Sequence, residues 1–488
     1  MSLPVFTFRL DHGYDFGVRL RGPEFERENM LVGGLSGSRQ TAAIFLGRLA
    51  EYQHTTKNMW LDTEGAHAIY VAGKRRSGKT FTLGVIVEGL ISKSWMRQNG
   101  EDQAVLVLDT MNIFESMSYS VYEGTPEDSQ LRKEAERWQL PNERVPLRIF
   151  YPGGTNPPKL KDARQLSIRA SDMTGEDWAA LFGCDTFSDP IGQLIADVYE
   201  KVAIEGYTTT SSGHVAPKPN YTIDDLSACL ENGDHIARFE SRTVEAVRRR
   251  LSSLRRLTIF SESGFDVREL FVRGTVSILL LRDLDTQLRG LIIGLIVKKI
   301  MEQRSLSDRY ERLARIAAAR LSTAKKSDVE GASAIEREKN EFEEMASRGL
   351  PRGWIIIDEA QNYMPARGIV ASKEPLKRYV NEGRNLGLSI VVATQAPSGL
   401  DASIRRNVDV LIIHSISMRD DVEAVEGMIN TSIPESVIIE RERFDTRVLE
   451  QTARSLPAGY AIVSSDQLSR ICVVKIRPRM TTHGGIEY

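Results

Sequence analysis

The sequence predicts an α/β protein built on a parallel sheet and carrying a helical insertion. Three stretches lead to that expectation. AIYVA (68–72) is a short apolar run that ends in a glycine-rich loop and precedes a helical pattern through LGVIVEGLI. AVLVLD (104–109) is a second continuous apolar run and WIIIDEA (354–360) a third, each closing on acid. Apolar runs without alternation belong to strands covered on both faces, and a strand–helix–strand order calls for a right-handed parallel crossover.

Composition narrows the class. At 488 residues the chain has room for two to four domains and a sizeable core. With 41% hydrophobic and 27% charged residues it is an ordinary globular chain, not a disordered one. Lys plus Arg number 64 against 66 Asp plus Glu, so a net charge of -2 does not mark a nucleic-acid binder. It does not exclude one either, because only the surface beside DNA must be basic. Cys184, Cys229 and Cys472 lie far apart without C-x-x-C spacing, which argues against a disulfide framework or zinc site. No basic start leads into an apolar run, and SILLL (277–281) and LIIGLIV (291–297) are too short to span a bilayer. The expectation is a cytoplasmic protein with no membrane partner.

Residues 1–65 mix short β-type runs (VFTFRL, FGVRL, MLVGG) with glycine and polar turns, as a small all-β module does. The α/β body occupies 66–171: the loop, its helix, AVLVLD, a polar stretch over 115–145 and the strand PLRIFYPG. Residues 172–262 turn helical in DWAALFG, PIGQLIADVYEKVAI and EAVRRRLSSLRRL, around a loop at 206–222 rich in Thr, Ser, Gly and Pro. The body resumes over 263–488 with TVSILLLRD (275–283), a helix near 287–304, and the strands WIIIDEA, LSIVVATQ (388–395) and DVLIIHS (409–415). Weaker strands follow over 456–479. Residues 306–349 are dense in Arg, Lys, Glu and Ala and read as a solvated helical arm before a DNA- or partner-binding surface. EAVRRRLSSLRRL (245–257) reads as a solvated or intersubunit face before a DNA contact.

Gly73-Lys74-Arg75-Arg76-Ser77-Gly78-Lys79-Thr80 fits G-x-x-x-x-G-K-[ST], after a strand and at the opening of a helix, which is the context a phosphate loop needs. Its glycines let backbone N–H groups face phosphates beside the helix N-terminus. Gly73, Arg75, Arg76, Ser77, Gly78, Lys79, Thr80 and Phe81 are the expected nucleotide-binding residues. Lys79 would reach the β- and γ-phosphates and the Thr80 hydroxyl would ligate Mg²⁺. Asp358 and Glu359 end an apolar strand at the edge where a parallel sheet gathers its site. Asp358 suits the Mg²⁺ shell, and Glu359 suits the general base for an attacking water. Gln395, beside Thr394 at the end of the next strand, suits contact with that water or the γ-phosphate. Arg384, in VNEGRNLG, is by residue mechanics an ordinary solvated arginine before it is a trans-acting finger. ATP and Mg²⁺ are the expected ligands, with Lys79, Glu359, Arg384 and Gln395 the catalytic candidates.

Taken together, these residues resemble the HerA branch of the HerA/FtsK family of ring-shaped P-loop ATPases. The resemblance runs from about residue 46 to 485 on an ordered set: LGRL (46–49), Ala66-His67, VLVLD (105–109), IIIDEAQNYMP (355–365), NEGRNLGLSIVVATQAPSGLD (381–401) and PRMTTHGG (478–485). It implies a RecA-like P-loop core, a helical-bundle insertion, a small N-terminal β-barrel and a homohexamer that moves duplex DNA through its pore. Nucleotide would lie between subunits, with Arg384 at the finger position and Gln395 at a sensor position. PRMTTHGG would brace the neighbouring subunit. The resemblance also implies a separate nuclease or NADase-type effector on the N-terminal face, in DNA end processing or anti-phage defence. Three departures stand out. Lys74, Arg75 and Arg76 replace small loop residues, Asn112 and Ile113 replace a Gly-Glu pair after Asp109, and only about 65 residues precede the loop. A nucleotide-regulated hexameric scaffold, activating an effector with little translocation, is the alternative function.

Overall fold

Continuous apolar runs become the central strands, and they pair in parallel. This computed structural model describes residues 9–13, 17–21, 29–33, 43–50, 57–92, 103–123, 128–158, 160, 162–211, 213–323, 329–429, 436–439, 442–445, 449–465 and 471–484. Much of the expected strand VFTFRL, and Gly485, lie outside them. β1 (Arg9–Gly13) and β2 (Gly17–Arg21) pair with each other. The main sheet begins with β3 (Asn29–Val32), β4 (Ala43–Leu49), β5 (Asn58–Asp62), β6 (Ala68–Ala72), β7 (Ala104–Asp109), β8 (Leu147–Pro152) and β9 (Arg164–Leu166). A small hairpin, β10 (Tyr207–Thr208) and β11 (His214–Val215), occupies the expected 206–222 loop. The sheet continues with β12 (Val276–Leu280), β13 (Gly353–Ile357), β14 (Leu388–Thr394) and β15 (Val410–Ile413). The hairpin β16 (Ser436–Ile439) and β17 (Glu442–Asp445) precedes the last two sheet strands, β18 (Tyr460–Ser465) and β19 (Cys472–Ile476).

The sheet order is β3-β5-β4-β19-β18-β15-β6-β14-β13-β7-β12-β8-β9, 13 strands among the described residues. From β15 to β9 every pairing is parallel, while β18, β19 and β4 continue it antiparallel. One strand, β14, separates the loop strand β6 from the acidic strand β13, as a RecA-like core requires. Because β4 bonds β19, the N-terminal strands β3, β5 and β4 form an edge of this sheet.

Alternate side chains serve two cores. Ile69, Val107, Ile356 and Val391 face α1 (Lys79–Ile91). Tyr70, Leu106, Ile355 and Val392 face the opposite side. After α2 (Ser129–Arg137), the insertion is built from α3 (Gly175–Leu181), α4 (Pro190–Glu200), α5 (Ile223–Asn232) and α6 (Ser241–Leu254). Thr174 with Asp177 and Thr222 with Asp225 form capping boxes that start α3 and α5. Trp178, Leu194, Leu226 and Val247 share the core of Leu106 and Ile355, so the insertion is fused to the sheet.

A short α7 (Val267–Leu270) leads to β12, and then α8 runs unbroken from Thr286 to Thr323. Its 38 residues span about 57 Å. The expected break near 304 is absent because no Gly or Pro lies between 295 and 323 to stop the helix. α9 (Val329–Ser347) returns beside it, with Arg320 and Glu338 2.9 Å apart. Among the described residues no helix is long and apolar enough to cross a membrane.

His67 ties three parts of the sheet together. It precedes β6, and its Nδ1 lies 2.6 Å from Asp409 and its Nε2 3.1 Å from Asp62 at the end of β5. Burial opposes the charged ring, but the two carboxylates outweigh it and raise the imidazole from 6.5 to about 9. A raised pKa stabilises the fold fully below the unfolded value and loses its effect as pH climbs through the folded one. Stability measured by denaturant across that interval is expected to fall by up to about 3 kcal/mol. His67→Gln should flatten the slope; an unchanged slope would assign the pH dependence to other groups.

Candidate functional site

Because β6, β14 and β13 are adjacent and parallel, the residues following Ala72, Thr394 and Ile357 emerge at one edge of the sheet. Gly73 N donates to Thr394 O at 3.2 Å and Lys74 N to Ser415 O at 2.7 Å, pinning the loop to the strands on either side. A Cβ on Gly73 would lie 2.7 Å from His414 Cβ, and Gly78 has a φ of 111°, so both positions require glycine. Ser77 Oγ donates to Lys74 O at 2.8 Å and closes the loop on itself. Behind it, His414 Nδ1 faces Tyr460 O at 2.9 Å and must donate there. Its Nε2 therefore accepts from Thr82 Oγ1 at 2.9 Å, and burial, with Lys79 nearby, lowers the ring to about 4. The loop thus rests on a neutral histidine.

The acids meet the loop directly. Thr80 Oγ1 donates to Asp358 Oδ2 at 2.8 Å, and Glu359 N donates to Asp358 Oδ1 at 2.8 Å. Burial raises Asp358, and the neighbouring Glu359 adds to the rise. Burial lowers Lys79 against the opposing pull of Asp358 and Glu359; its Nζ reaches Lys74 O at 3.3 Å. Glu359 has a φ of 53°, a left-handed conformation that costs a non-glycine residue about 1 kcal/mol. Its carboxylate is held by two amides, Gln361 Nε2 at 2.7 Å and Gln395 Nε2. Thr394 Oγ1 in turn donates to Gln361 Oε1 at 2.7 Å.

Asp109, at the end of β7, accepts from Phe114 N at 2.8 Å and Met111 N at 3.2 Å. Full burial raises it to about 6, with Asp358 contributing. Asn112, which stands where the resembled family has Gly, adopts a φ of 54° that Asn tolerates better than most residues. Asp109 organises this turn through those two amides.

A cavity of about 680 Å³ is lined by Lys79, Thr80, Phe81, Met111, Leu131, Tyr460 and His483. Arg75 and Arg76 line its mouth and are exposed, Arg76 at a φ of 63°. Asp358, Glu359 and Gln395 line it as well. Arg384 does not. It is exposed in the turn Gly383–Leu386 that enters β14, whereas Gln395 follows the other end of that seven-residue strand, roughly 23 Å away.

The segment 477–483 packs against this chain's own α1. Glu88 in that helix is fully buried between Arg477 Nη1 at 2.9 Å and Arg479 Nε at 3.2 Å. It also accepts from Met480 N and Thr481 N, each at 3.0 Å, and from Thr481 Oγ1 at 2.6 Å. Burial would raise this carboxyl, but the two guanidinium groups and these donors hold it below its ordinary value. Arg479 Nη1 meets His483 Nδ1 at 3.0 Å, placing His483 edge-on to Phe81 at the cavity wall.

Sequence reasoning missed several of these residues. Gln361 had a signal, its place two residues after Glu359 in IIIDEAQ. Tyr460, His414 and Glu88 had none, because they are ordinary core-strand or helix positions until the chain folds.

No family model and no curated protein matches the chain. Among solved structures it is similar to VirB4 of Thermoanaerobacter pseudethanolicus, at TM-score 0.48 and 12% identity over 90% of this chain and 98% of that one. It is also similar to the plasmid coupling protein TrwB in complex with ADP and Mg²⁺, at 0.45 and 13% over 91% and 96%. The genome packaging NTPase B204 from Sulfolobus turreted icosahedral virus 2 aligns at 0.29 and 7% over 84% and 97%. At these values the functional reading rests on the geometry of the site.

Glu88→Ala leaves Arg477 and Arg479 buried without their carboxylate. Chemical denaturation should register a loss of about 3–5 kcal/mol; a loss below about 1 kcal/mol, the scale of an exposed pair, would mean the network does not anchor α1.

Proposed function

We propose that this chain is an ATP-hydrolysing, ring-forming motor whose nucleotide sits between neighbouring copies. One observation carries the reading. Lys79, Thr80, Asp358, Glu359 and Gln395 converge at one edge of the sheet, while Arg384 is exposed at the far end of β14. No motion of a paired strand brings Arg384 to its own site, so its use as a finger requires another copy.

In this mechanism the loop amides from Gly73 to Thr80 cradle the phosphates and Lys79 binds between the β- and γ-oxygens. Thr80 and Asp358, oxygen donors 2.8 Å apart, fit the shell of Mg²⁺, which when bound offsets charge on the phosphate oxygens. Glu359 orients the attacking water and takes its proton. The amides of Gln361 and Gln395 keep its carboxylate aimed. Gln395, bound to Glu359, exchanges that partner for the γ-phosphate in this reading and so senses hydrolysis. The adjacent copy's Arg384 stabilises the charge that develops on the transferred group.

Residues 66–171 and 263–488 form the proposed ATPase core, with 172–262 its insertion and 1–65 its effector-facing module. The ordered motifs extend the reading to a homohexamer acting on duplex DNA with a separate nuclease or NADase-type partner, in end processing or defence. Arg75 and Arg76, at the mouth of the cavity, tune nucleotide affinity or the contact between copies.

Glu359→Gln is expected to abolish ATP turnover while leaving ATP binding intact. Arg384→Ala should also bind ATP and lose at least roughly 10³-fold in turnover, the low end for an arginine finger. Mixing it with Lys79→Ala subunits should return part of the activity, and no return would exclude action in trans. Turnover with and without duplex DNA separates motor from scaffold: a response only to a protein partner favours the scaffold. Replacing Arg75 with Thr and Arg76 with Gly should shift binding of a fluorescent ATP analogue or ring assembly. An effect confined to DNA binding would remove both from the nucleotide site.

A further inference from the structure

Arg304, in α8, is fully buried and lies outside the nucleotide cavity. Its Nη1 and Nη2 donate to the two oxygens of Glu311 at 2.7 and 2.8 Å, a bidentate pair two helical turns along. Nε donates to Leu386 O at 2.7 Å, and Nη1 also approaches Leu350 O at 3.4 Å. Leu386 closes the turn that carries Arg384, and Leu350 leads the chain from α9 into β13. A single guanidinium therefore ties the arginine-bearing turn to the root of the α8–α9 hairpin.

The packing around it leaves little play. Gly387 follows the turn at a φ of 72°, and a Cβ there would lie 2.8 Å from the Arg352 side chain. A Cβ on Gly349 would overlap Ser307 Oγ at 1.9 Å, so α8 and the chain leaving α9 are in contact at the base of the hairpin. The turn is seated from beneath while Arg384 itself stays exposed.

A purely structural role explains this arrangement poorly. Buried ion pairs rarely stabilise a fold more than apolar residues of the same volume would, because desolvation offsets the attraction. What such a pair does supply is a fixed direction. A fork held by Glu311 places its third donor at one point, and that point is the carbonyl two residues after Arg384.

We propose that Arg304 is a positioning residue for Arg384. It fixes the Gly383–Leu386 turn so that Arg384 projects into the nucleotide site of the neighbouring copy, and it makes the α8–α9 root part of that support. This rests on the reading of Arg384 as acting in trans. A finger contributes only when placed to within about an ångström, and a misplacement of that size costs roughly 100-fold in rate.

The test uses the full chain with Arg304→Met and Glu311→Leu together, which fills the space and leaves no buried charge unpaired; the partly exposed Arg352 loses only its 3.7 Å contact with Glu311. Arg304→Lys serves as the conservative variant that keeps a donor. For the double variant, binding of a fluorescent ATP analogue should stay within roughly twofold, with KM little changed and kcat reduced roughly 100-fold. Arg304→Lys should fall between it and the unaltered chain. Mixed with Lys79→Ala subunits, which carry intact Arg384 turns, the double variant should regain turnover; mixed with Arg384→Ala subunits it should not. Unaltered kcat in both variants would overturn the proposal, as would loss of nucleotide binding that no mixture restores. If Arg384→Ala itself keeps full turnover, the trans reading fails first; if only the Arg304 variants keep it, the positioning role alone is lost.

Discussion

The site depends on β6, β14 and β13 lying side by side, parallel and in one register. The ladder pairs Ala72 with Thr394 and Ile357 with Val392, so the loop, the glutamine and the two acids leave the sheet together. Strands covered on both faces cannot slip by one residue without exchanging their buried faces, and here the two faces feed different cores. The hydrophobic pattern of three short strands thereby fixes distances between polar groups that lie 278 residues apart in the chain, as Thr80 and Asp358 do.

A second layer of contacts supports that edge from behind. α1 carries the loop at its N-terminus and Glu88 two turns later, and Glu88 binds the segment 477–481 through five donors. Arg477 also donates from Nε to Phe45 O in β4 at 2.9 Å and from Nη2 to Val85 O at 2.8 Å. The N-terminal strands, α1 and the C-terminal segment are joined through one buried cation. Such a cluster is costly to desolvate and tolerates no missing partner, so it couples these elements geometrically.

β14 divides the chemistry. Its C-terminal end presents Gln395 to Glu359, and its N-terminal end receives the turn of Arg384, which Arg304 holds from α8. A buried strand of seven residues is a stiff connector, so it holds the turn of Arg384 and the Glu359–Gln395 pair a strand's length apart. The left-handed conformations of Arg76 and Glu359 both fall at residues lining the cavity at the Gln395 end of β14.

Much of this was legible before folding. Continuous apolar runs ending in Gly-x-x-x-x-Gly-Lys-Thr, in Asp-Glu and in Thr-Gln determined the parallel α/β class and the residues that meet at one edge of the sheet, because strand period and loop spacing are local properties. Only the tertiary structure decided which strands neighbour each other, that α8 continues past 304, and that the insertion shares the sheet's core. It also decided that the C-terminal segment lies on its own α1, and that Arg384 stands a strand's length from the residues it would serve. The reason is physical: those outcomes rest on contacts such as Glu88 with Arg477 or Arg304 with Leu386, whose partners are ordinary residues in their own segments and acquire meaning only when burial removes water from between them.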